Sequence, residues 1–438
     1  MSKKEKRFFI DLFAGCGGLS LGALRAGFTG EIAIEYQKNA FNTLSHNLIS
    51  NGESDRQKKI REKIGITGFE WPTEEIPQEA HDIKSFLKDH KDYLKSIKGK
   101  VDLIVGGPPC QGFSNAGKRK EEDPRNQLYK SYLSFVKLVE PKIILIENVA
   151  GIASKFSKSS QSYKDNIIAK LKRDYYVDGD LLTSNIFGVP QKRKRYIIIG
   201  FKKTAFNEKI NISEVFKRIK DDAHGFTSVY KVPEEDKTLD ITNTNVLQAL
   251  SDIDSSGKIA IPYSDENAKS KAFITYKYSK GKLTPYQQLM RFGMNGAEYP
   301  DSHRIGEHKK ETIYKYKQLI KITRSVKNKD RESFNFTPEE FKQAKWNSKK
   351  QIISVLKAKR PSPTLTTCPF DYIHYKEPRI LTVREYARIQ SFPDWFEFKG
   401  VYALSGSDSF KTPRYSQIGN AVPPLMAESI IKTLKTYL

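Results

Sequence analysis

The sequence predicts an α/β fold: a mostly parallel sheet covered on both faces, joined to a smaller mixed domain. Three observations predict it. Short apolar runs rich in β-formers recur at RFFIDLF, EIAIE, VDLIVGG, KIILIENV and RYIIIGF. Glycines or polar turns close them, and helical segments such as LSLGALRAG separate them. Such strands read as continuously apolar because helices cover both sheet faces. Ligands of these sheets sit beyond the carboxyl ends of the strands. The loops after these runs carry GCGG, Glu35, PPC and ENV, so they converge on one crevice.

The rhythm holds over residues 1–203 apart from a charged stretch at about 49–80, which reads as a surface excursion. Residues 204–412 are rich in Lys, Tyr, Asn and Ser and read as a second domain with a hinge. Their continuing aromatic and aliphatic residues argue against disorder. TVREYARIQSFP reads as a helix ending at its proline. Residues 413–438 supply a closing amphipathic helix with proline near its start.

The 438 residues carry 75 Lys and Arg against 51 Asp and Glu, a net charge of +24. Such an excess favours a polyanionic partner, because neutralised phosphates release counterions. The basic residues are spread along the chain, which also suits a lysine-rich surface kept for solubility. No apolar run approaches the ~20 residues that span a bilayer. The basic N-terminus is not a signal peptide by its pattern, since Asp11 breaks the apolar part and no A-x-A site follows. Cys16, Cys110 and Cys368 are scattered and form no CxxC pair. That excludes a disulfide framework, gives no metal-ligand spacing and suits a reducing cytoplasm.

In DLFAGCGGLSLG, Gly15, Gly17 and Gly18 allow close ligand approach at the start of a helix. About 20 residues beyond Gly15, Glu35 ends the second strand, where an acid can bind ribose hydroxyls. This pair fits a nicotinamide dinucleotide, a flavin or an adenosyl cofactor. Ser20 stands where a full GxGxxG pattern has its last glycine. Asp82 of the HDI stretch fits an adenine amino group or, equally, a helix N-cap.

GGPPCQGFS sets Cys110 in a rigid turn. A thiolate is a strong nucleophile, yet only a few per cent of an ordinary thiol is ionised near neutrality. A lone cysteine is commonly an inert core residue, but the flanking PP and QG fit that role poorly. Glu147 of ENV closes an apolar strand, and a carboxylate is costly to bury there without a partner or a chemical role. It fits an acid for a ring nitrogen, or a helix cap. In QKRKR, Gln191, Arg193 and Arg195 alternate and so share one face of a strand. Two guanidiniums there can clamp a phosphate and a carbonyl oxygen, or line a solvated edge.

Taken in order, DLFAGCGG, Glu35, the HDI aspartate, GGPPCQGFS, ENV, QKRKR, RPSPTLTT and GNAVPP resemble the C5-cytosine DNA methyltransferases of bacterial restriction–modification systems. The likeness covers residues 8–203 and about 359–438, and leaves out the stretch near 49–80 and most of 204–355. It implies a Rossmann-like domain that uses S-adenosyl-L-methionine and releases S-adenosyl-L-homocysteine. Cys110 would attack C6 of a flipped cytosine, Glu147 would hold N3, and Arg195 with Arg193 would support O2 or a nearby phosphate. Cofactor contacts would come from Phe13, Gly15, Gly17, Glu35, Tyr36, Asp82, Ile83, Asn420 and Val422, with Pro109 and Leu128 bordering the sulfonium. Gln111, Ser114 and Arg125 in the loop after Cys110, and Gln191, would contact DNA. The central segment would read base edges of double-stranded DNA in the major groove. A monomer working beside a separate endonuclease is the expected arrangement. The same motifs also fit a tRNA cytosine methyltransferase or a catalytically silent DNA-binding relative.

Overall fold

Phe9, Ile10 and Leu12 of the run FFIDL are fully buried. They make strand β1 (Phe8–Leu12) the middle of a sheet and not its edge. The computed structural model describes residues 6–49, 55–109, 127–154, 162–232, 237–254, 257–262, 272–294, 296–325, 336–346, 353–402 and 412–438. The other strands are β2 (Thr29–Ile34), β3 (Leu103–Gly106), β4 (Ile143–Val149), β5 (Tyr175–Thr183), β6 (Gln191–Lys192) and β7 (Lys194–Lys202). Six of them form one sheet in the order β2-β1-β3-β4-β7-β5. The first four are parallel, and β7 lies antiparallel between β4 and β5. All four residues of β3 and six of seven in β4 are buried, which requires cover on both faces.

That cover comes from α1 (Gly18–Arg25), α2 (Lys38–Leu44), α3 (Arg56–Lys63), α4 (Ile83–Asp89), α5 (Lys91–Ser96), α6 (Leu128–Val139), α7 (Tyr163–Leu171) and α8 (Ile212–Ser228). Tyr132 of α6 donates to Ile104 O and Leu145 O, fixing that helix over β3 and β4. The structure moves the domain boundary expected at residue 204. Helix α8 packs on β5, and its Asp222 accepts from Thr433 Oγ1 at 2.9 Å, so it belongs to the catalytic layer.

Beyond α8 come two antiparallel pairs, β8 (Tyr230–Lys231) with β9 (Thr238–Leu239) and β10 (Lys258–Pro262) with β11 (Ala272–Tyr276). Helices α9 (Val246–Leu250), α10 (Pro285–Arg291), α11 (Lys310–Arg324) and α12 (Pro338–Gln343) run among and after them. Short strands β12 (Ser354–Val355), β13 (Ser362–Pro363) and β14 (Tyr372–Ile373) follow. Among the described residues a second core gathers Tyr316, Leu319, Ile320, Ile322, Phe336, Ala344, Ile353, Val355, Ile373 and Ile380.

Between the two cores lies α13 (Val383–Ile389), followed by α14 (Arg414–Asn420) and α15 (Pro424–Lys435). All seven residues of α13 are buried, two of them arginines. Arg388 pairs with Asp252 and Asp394, and Arg384 donates to Asp301 O, Pro393 O and Phe396 O. Fully partnered, these guanidiniums escape the penalty of an uncompensated buried charge. The helix stops at Ile389, short of Pro393, because Ser391 takes a left-handed backbone.

The stretch near 49–80 is not a surface excursion. Gly30 N donates to Gly68 O, and Phe69 packs on Phe9 at 5.3 Å between ring centroids. Arg61 is buried and donates to Asn47 O at 2.6 Å, while Arg56 reaches Glu397 at 2.7 Å. Its apolar residues Phe69, Trp71 and Ile76 outweigh its charged ones in deciding placement. Among the described residues no helix is long and apolar enough to cross a membrane.

The chain closes on itself where α15 lies along α1. Lys435 Nζ donates to Ala26 O and Gly27 O, capping the end of α1. A β-carbon at Gly22 would stand 2.4 Å from Ala427 Cβ. In an open helix Gly22→Ala would add about 1 kcal/mol of stability through helix propensity. Here the clash reverses the sign, and we expect a loss of about 1–3 kcal/mol in chemical denaturation, typical of overpacking.

Candidate active site

The carboxyl end of β1 turns sharply, with Phe13 at φ 60°, Gly15 at φ 56° and Gly17 at φ 95°. Three backbone reversals so close together need glycine at most positions, and Phe13 takes the conformation at some cost. A β-carbon at Gly18 would meet Val422 O at 2.2 Å, whereas one at Gly15 would meet nothing within 4 Å. Gly15 thus borders open space and Gly18 is packed. The Gly15 N–H donates to Glu35 Oε2 at 2.9 Å, and Gln37 N donates to Glu35 Oε1 at 2.6 Å. Despite these bonds, burial pushes the Glu35 carboxyl above its ordinary range.

His81 N donates to Glu35 O at 2.9 Å, drawing the HDI stretch to the end of β2. Asp82 Oδ1 caps α4 by accepting from Lys84 N and Ser85 N. Tyr36 is 69% exposed beside Glu35. The Ile83 side chain points into the main core. Val422 is buried against the glycine turn, and Asn420 is exposed at the end of α14. Pro109 is half-buried, and half-buried Leu128 opens α6 against the main core.

The second cluster stands at the end of β4. Register pairs Glu147 with Ile197 and Val149 with Arg195, so Glu147 and Arg195 are diagonal neighbours on one face. Arg195 Nε lies 2.6 Å from Glu147 Oε1, and both side chains are about one-tenth exposed. Gly107 approaches Glu147 so closely that a β-carbon there would lie 3.1 Å from Oε2. Asn148 Nδ2 donates to Pro108 O at 2.9 Å, and Gly107 N to Leu12 O at 3.3 Å. The GGPP turn is thereby fixed between the glycine turn of β1 and the acid of β4. Cys110, Gln111, Ser114 and Arg125 lie outside the described residues.

Two expectations need correction. Burial alternates along Gln191, Lys192, Arg193, Lys194 and Arg195, as a strand requires, but the shared face points inward. Gln191 is fully buried, donating to Gln390 Oε1 at 2.5 Å and accepting from Leu365 N at 2.8 Å. It cannot contact DNA from there. Arg193 donates to Leu365 O at 3.2 Å and Gly419 O at 2.8 Å. Burial, with Arg195 alongside, holds its guanidinium pKa well below the ordinary arginine value. Arg193 is thus turned toward the carbonyls of two distant chain segments and away from solvent. The segment RPSP pairs with the two residues before it, Ser362 opposite Gln191 and Pro363 opposite Lys192.

The family model for C-5 cytosine-specific DNA methylase matches residues 8–83 and 72–436. The chain belongs to this family. The methylase is similar to the type II methyltransferase M.DdeI of Desulfomicrobium norvegicum, 30% identical over 98% of this chain and 88% of the relative. M1.HphI of Haemophilus parahaemolyticus is 28% identical over 97% and 86%. A solved DNA modification methyltransferase encoded within an E. coli prophage superposes with TM-score 0.62 and 26% identity, covering 98% and 99%. The protein is thus a DNA cytosine-C5 methyltransferase, and its cofactor is S-adenosylmethionine. The nicotinamide and flavin readings of the glycine turn fall away. The residues present fit an adenosyl group: open space over Gly15, an anchored acid at Glu35 and an exposed aromatic ring at Tyr36.

Sequence patterning does not single out Asp11 as a site residue, although it interrupts an apolar strand just as Glu147 does. It is fully buried, and Ser20 Oγ donates to its Oδ2 at 2.6 Å. This explains a serine where a dinucleotide turn has glycine. Burial raises the Asp11 pKa from 3.8 to about 7. A carboxyl raised in the folded state contributes stability that is complete below its unfolded pKa and lost as pH rises through the folded one. Between pH 4 and 7 the native protein should therefore lose up to a few kcal/mol relative to Asp11→Asn, read from denaturation midpoints across that range. A constant difference would contradict this.

Proposed function

We propose that the enzyme methylates C5 of a cytosine flipped out of a specific double-stranded DNA sequence, through a covalent bond from Cys110 to C6. The observation that carries this reading is the Glu147–Arg195 pair at 2.6 Å, held against Gly107 of the turn that leads into Cys110. Unactivated cytosine C5 is a poor nucleophile. Addition of the Cys110 thiolate at C6, with a proton or hydrogen bond from Glu147 at N3, turns the ring into an enamine whose C5 carries the electron pair. S-adenosylmethionine supplies an electrophilic methyl group when bound. Loss of the C5 proton to water then re-forms the C5–C6 double bond, expels the thiolate and returns N3 to its neutral form.

Arg195, beside Glu147, would serve the neighbouring O2, so that one pair would serve both polar atoms of the ring edge. Phe13, Gly15, Glu35, Tyr36 and Asp82 would hold the adenosyl part of the cofactor, with Asn420 and Val422 closing the glycine turn from the C-terminal side. Pro109 and Leu128 would border its reactive end. Gln111, Ser114 and Arg125 would steady the loop on DNA. Extruding the base costs roughly a few kcal/mol, offset by contacts along a basic surface. The type II character of the relatives supports a role as the modification partner of a restriction endonuclease.

Duplex DNA carrying 5-fluorocytosine at the target should trap the native enzyme as a denaturation-resistant adduct, because fluorine cannot leave as a cation. Cys110→Ser should give no adduct and almost no turnover. Turnover near the native rate in that variant would overturn the covalent step. Glu147→Gln should lower kcat about 10²-fold or more, the usual scale of a lost general acid. Labelled methyl entering tRNA and not DNA would overturn the choice of substrate.

A further inference from the structure

The second core has a solvent face that the chemistry above leaves unused. Helix α11 buries Tyr316, Leu319, Ile320 and Ile322. On its opposite side the exposed positions include Lys310, Tyr314, Lys317, Lys321 and Arg324. At about 100° per residue these five fall within an arc of about 80°. They form one stripe about 21 Å long at about 1.5 Å rise per residue. The stripe contains no acid.

Helix α8 balances part of its charge. On α8, Arg218 faces Asp222 at 3.5 Å and Lys220 reaches Asp180 at 2.6 Å. Among the described residues Lys310, Lys317 and Lys321 pair with no carboxylate, and only Arg324 is engaged, through Tyr375 O. Tyr314 is 47% exposed in the middle of the cations, with Lys345 Nζ 6.0 Å from its ring centre. A row of unpaired cations around an exposed ring is costly in self-repulsion and fits a polyanion carrying apolar sugar or base surface.

The stripe is also tied to the reaction site. Its core includes Val355 and Ile373 of the β12–β14 pair. Between those two strands in sequence, Ser362 and Pro363 of β13 pair with Gln191 and Lys192, next to the Arg193–Arg195 stretch. A duplex lying on α11 would be connected through these short strands to β6, which leads into the strand that carries Arg195.

We infer that the Lys310–Tyr314–Lys317–Lys321 stripe of α11 is a docking surface for the phosphate backbone of the DNA substrate, with Tyr314 against sugar or base. This rests on the DNA reading above. In the test, Lys310→Gln/Lys317→Gln/Lys321→Gln is compared with the native chain for binding to one cognate duplex over a range of salt. Glutamine keeps helix propensity close to that of lysine. The slope of log K against log salt should flatten by about 2 to 3, at about 0.9 per lost phosphate contact. At moderate salt, affinity should fall about 10- to 100-fold, and the triple arginine variant should restore both. Tyr314→Ala should weaken binding with no change of slope. Helical circular dichroism, S-adenosylmethionine binding and the fluorocytosine adduct at low salt should stay intact. Unchanged slope and affinity would overturn the stripe, as would a change seen with tRNA but not with duplex DNA. A native enzyme that forms no adduct would instead remove the reading beneath it.

Discussion

The site depends on a single buried guanidinium. Arg193 joins the carbonyls of Leu365 and Gly419, and Gln191, two residues earlier, joins Gln390 and Leu365. Four segments distant in sequence thus meet at one strand: QKRKR, RPSPTLTT, the end of α13 and GNAVPP. Removing either partner of such a junction would leave buried polar groups unmet, which costs more than the bonds contribute when made. Arg195 stays beside Glu147 because its neighbours on the same strand are fixed in this way.

The central sheet was legible because its strands are short, continuously apolar runs closed by glycines, the pattern of strands buried on both faces. Asp82 shows the limit: the sequence offers a contact to an adenine amino group and a helix cap without choosing, and the structure shows the cap. Gln191 and Arg193 misled because polar residues alternating on a strand look solvated. Only the third dimension reveals that RPSP and GNAVPP arrive to accept their hydrogen bonds. The 49–80 stretch misled for the opposite reason. Its charges dominate the eye, while Phe69, Trp71 and Ile76 decide where it packs. The domain boundary at 204 followed a change in composition, yet α8 is amphipathic and completes the catalytic layer.

Buried charge is used differently in the two halves of the protein. In the sheet domain part of it lies near the site, at Asp11, Glu147 and Arg195, and part away from it, at Arg61 and Glu428. Between the cores it is dense and mutually satisfied, as in Arg388 with Asp252 and Asp394, and Arg379 with Glu385. Ion pairs of this kind tolerate little change of angle, so they hold α13 rigidly in place.

The glycine face of α1 is covered by residues distant from it in sequence, and these are made long after it. A ribosome completes the cofactor turn early, but Ala427 and Val422, which lie against it, emerge only with the final helix. Nascent or prematurely terminated chains therefore carry a bare apolar groove beside an unfinished adenosyl cradle.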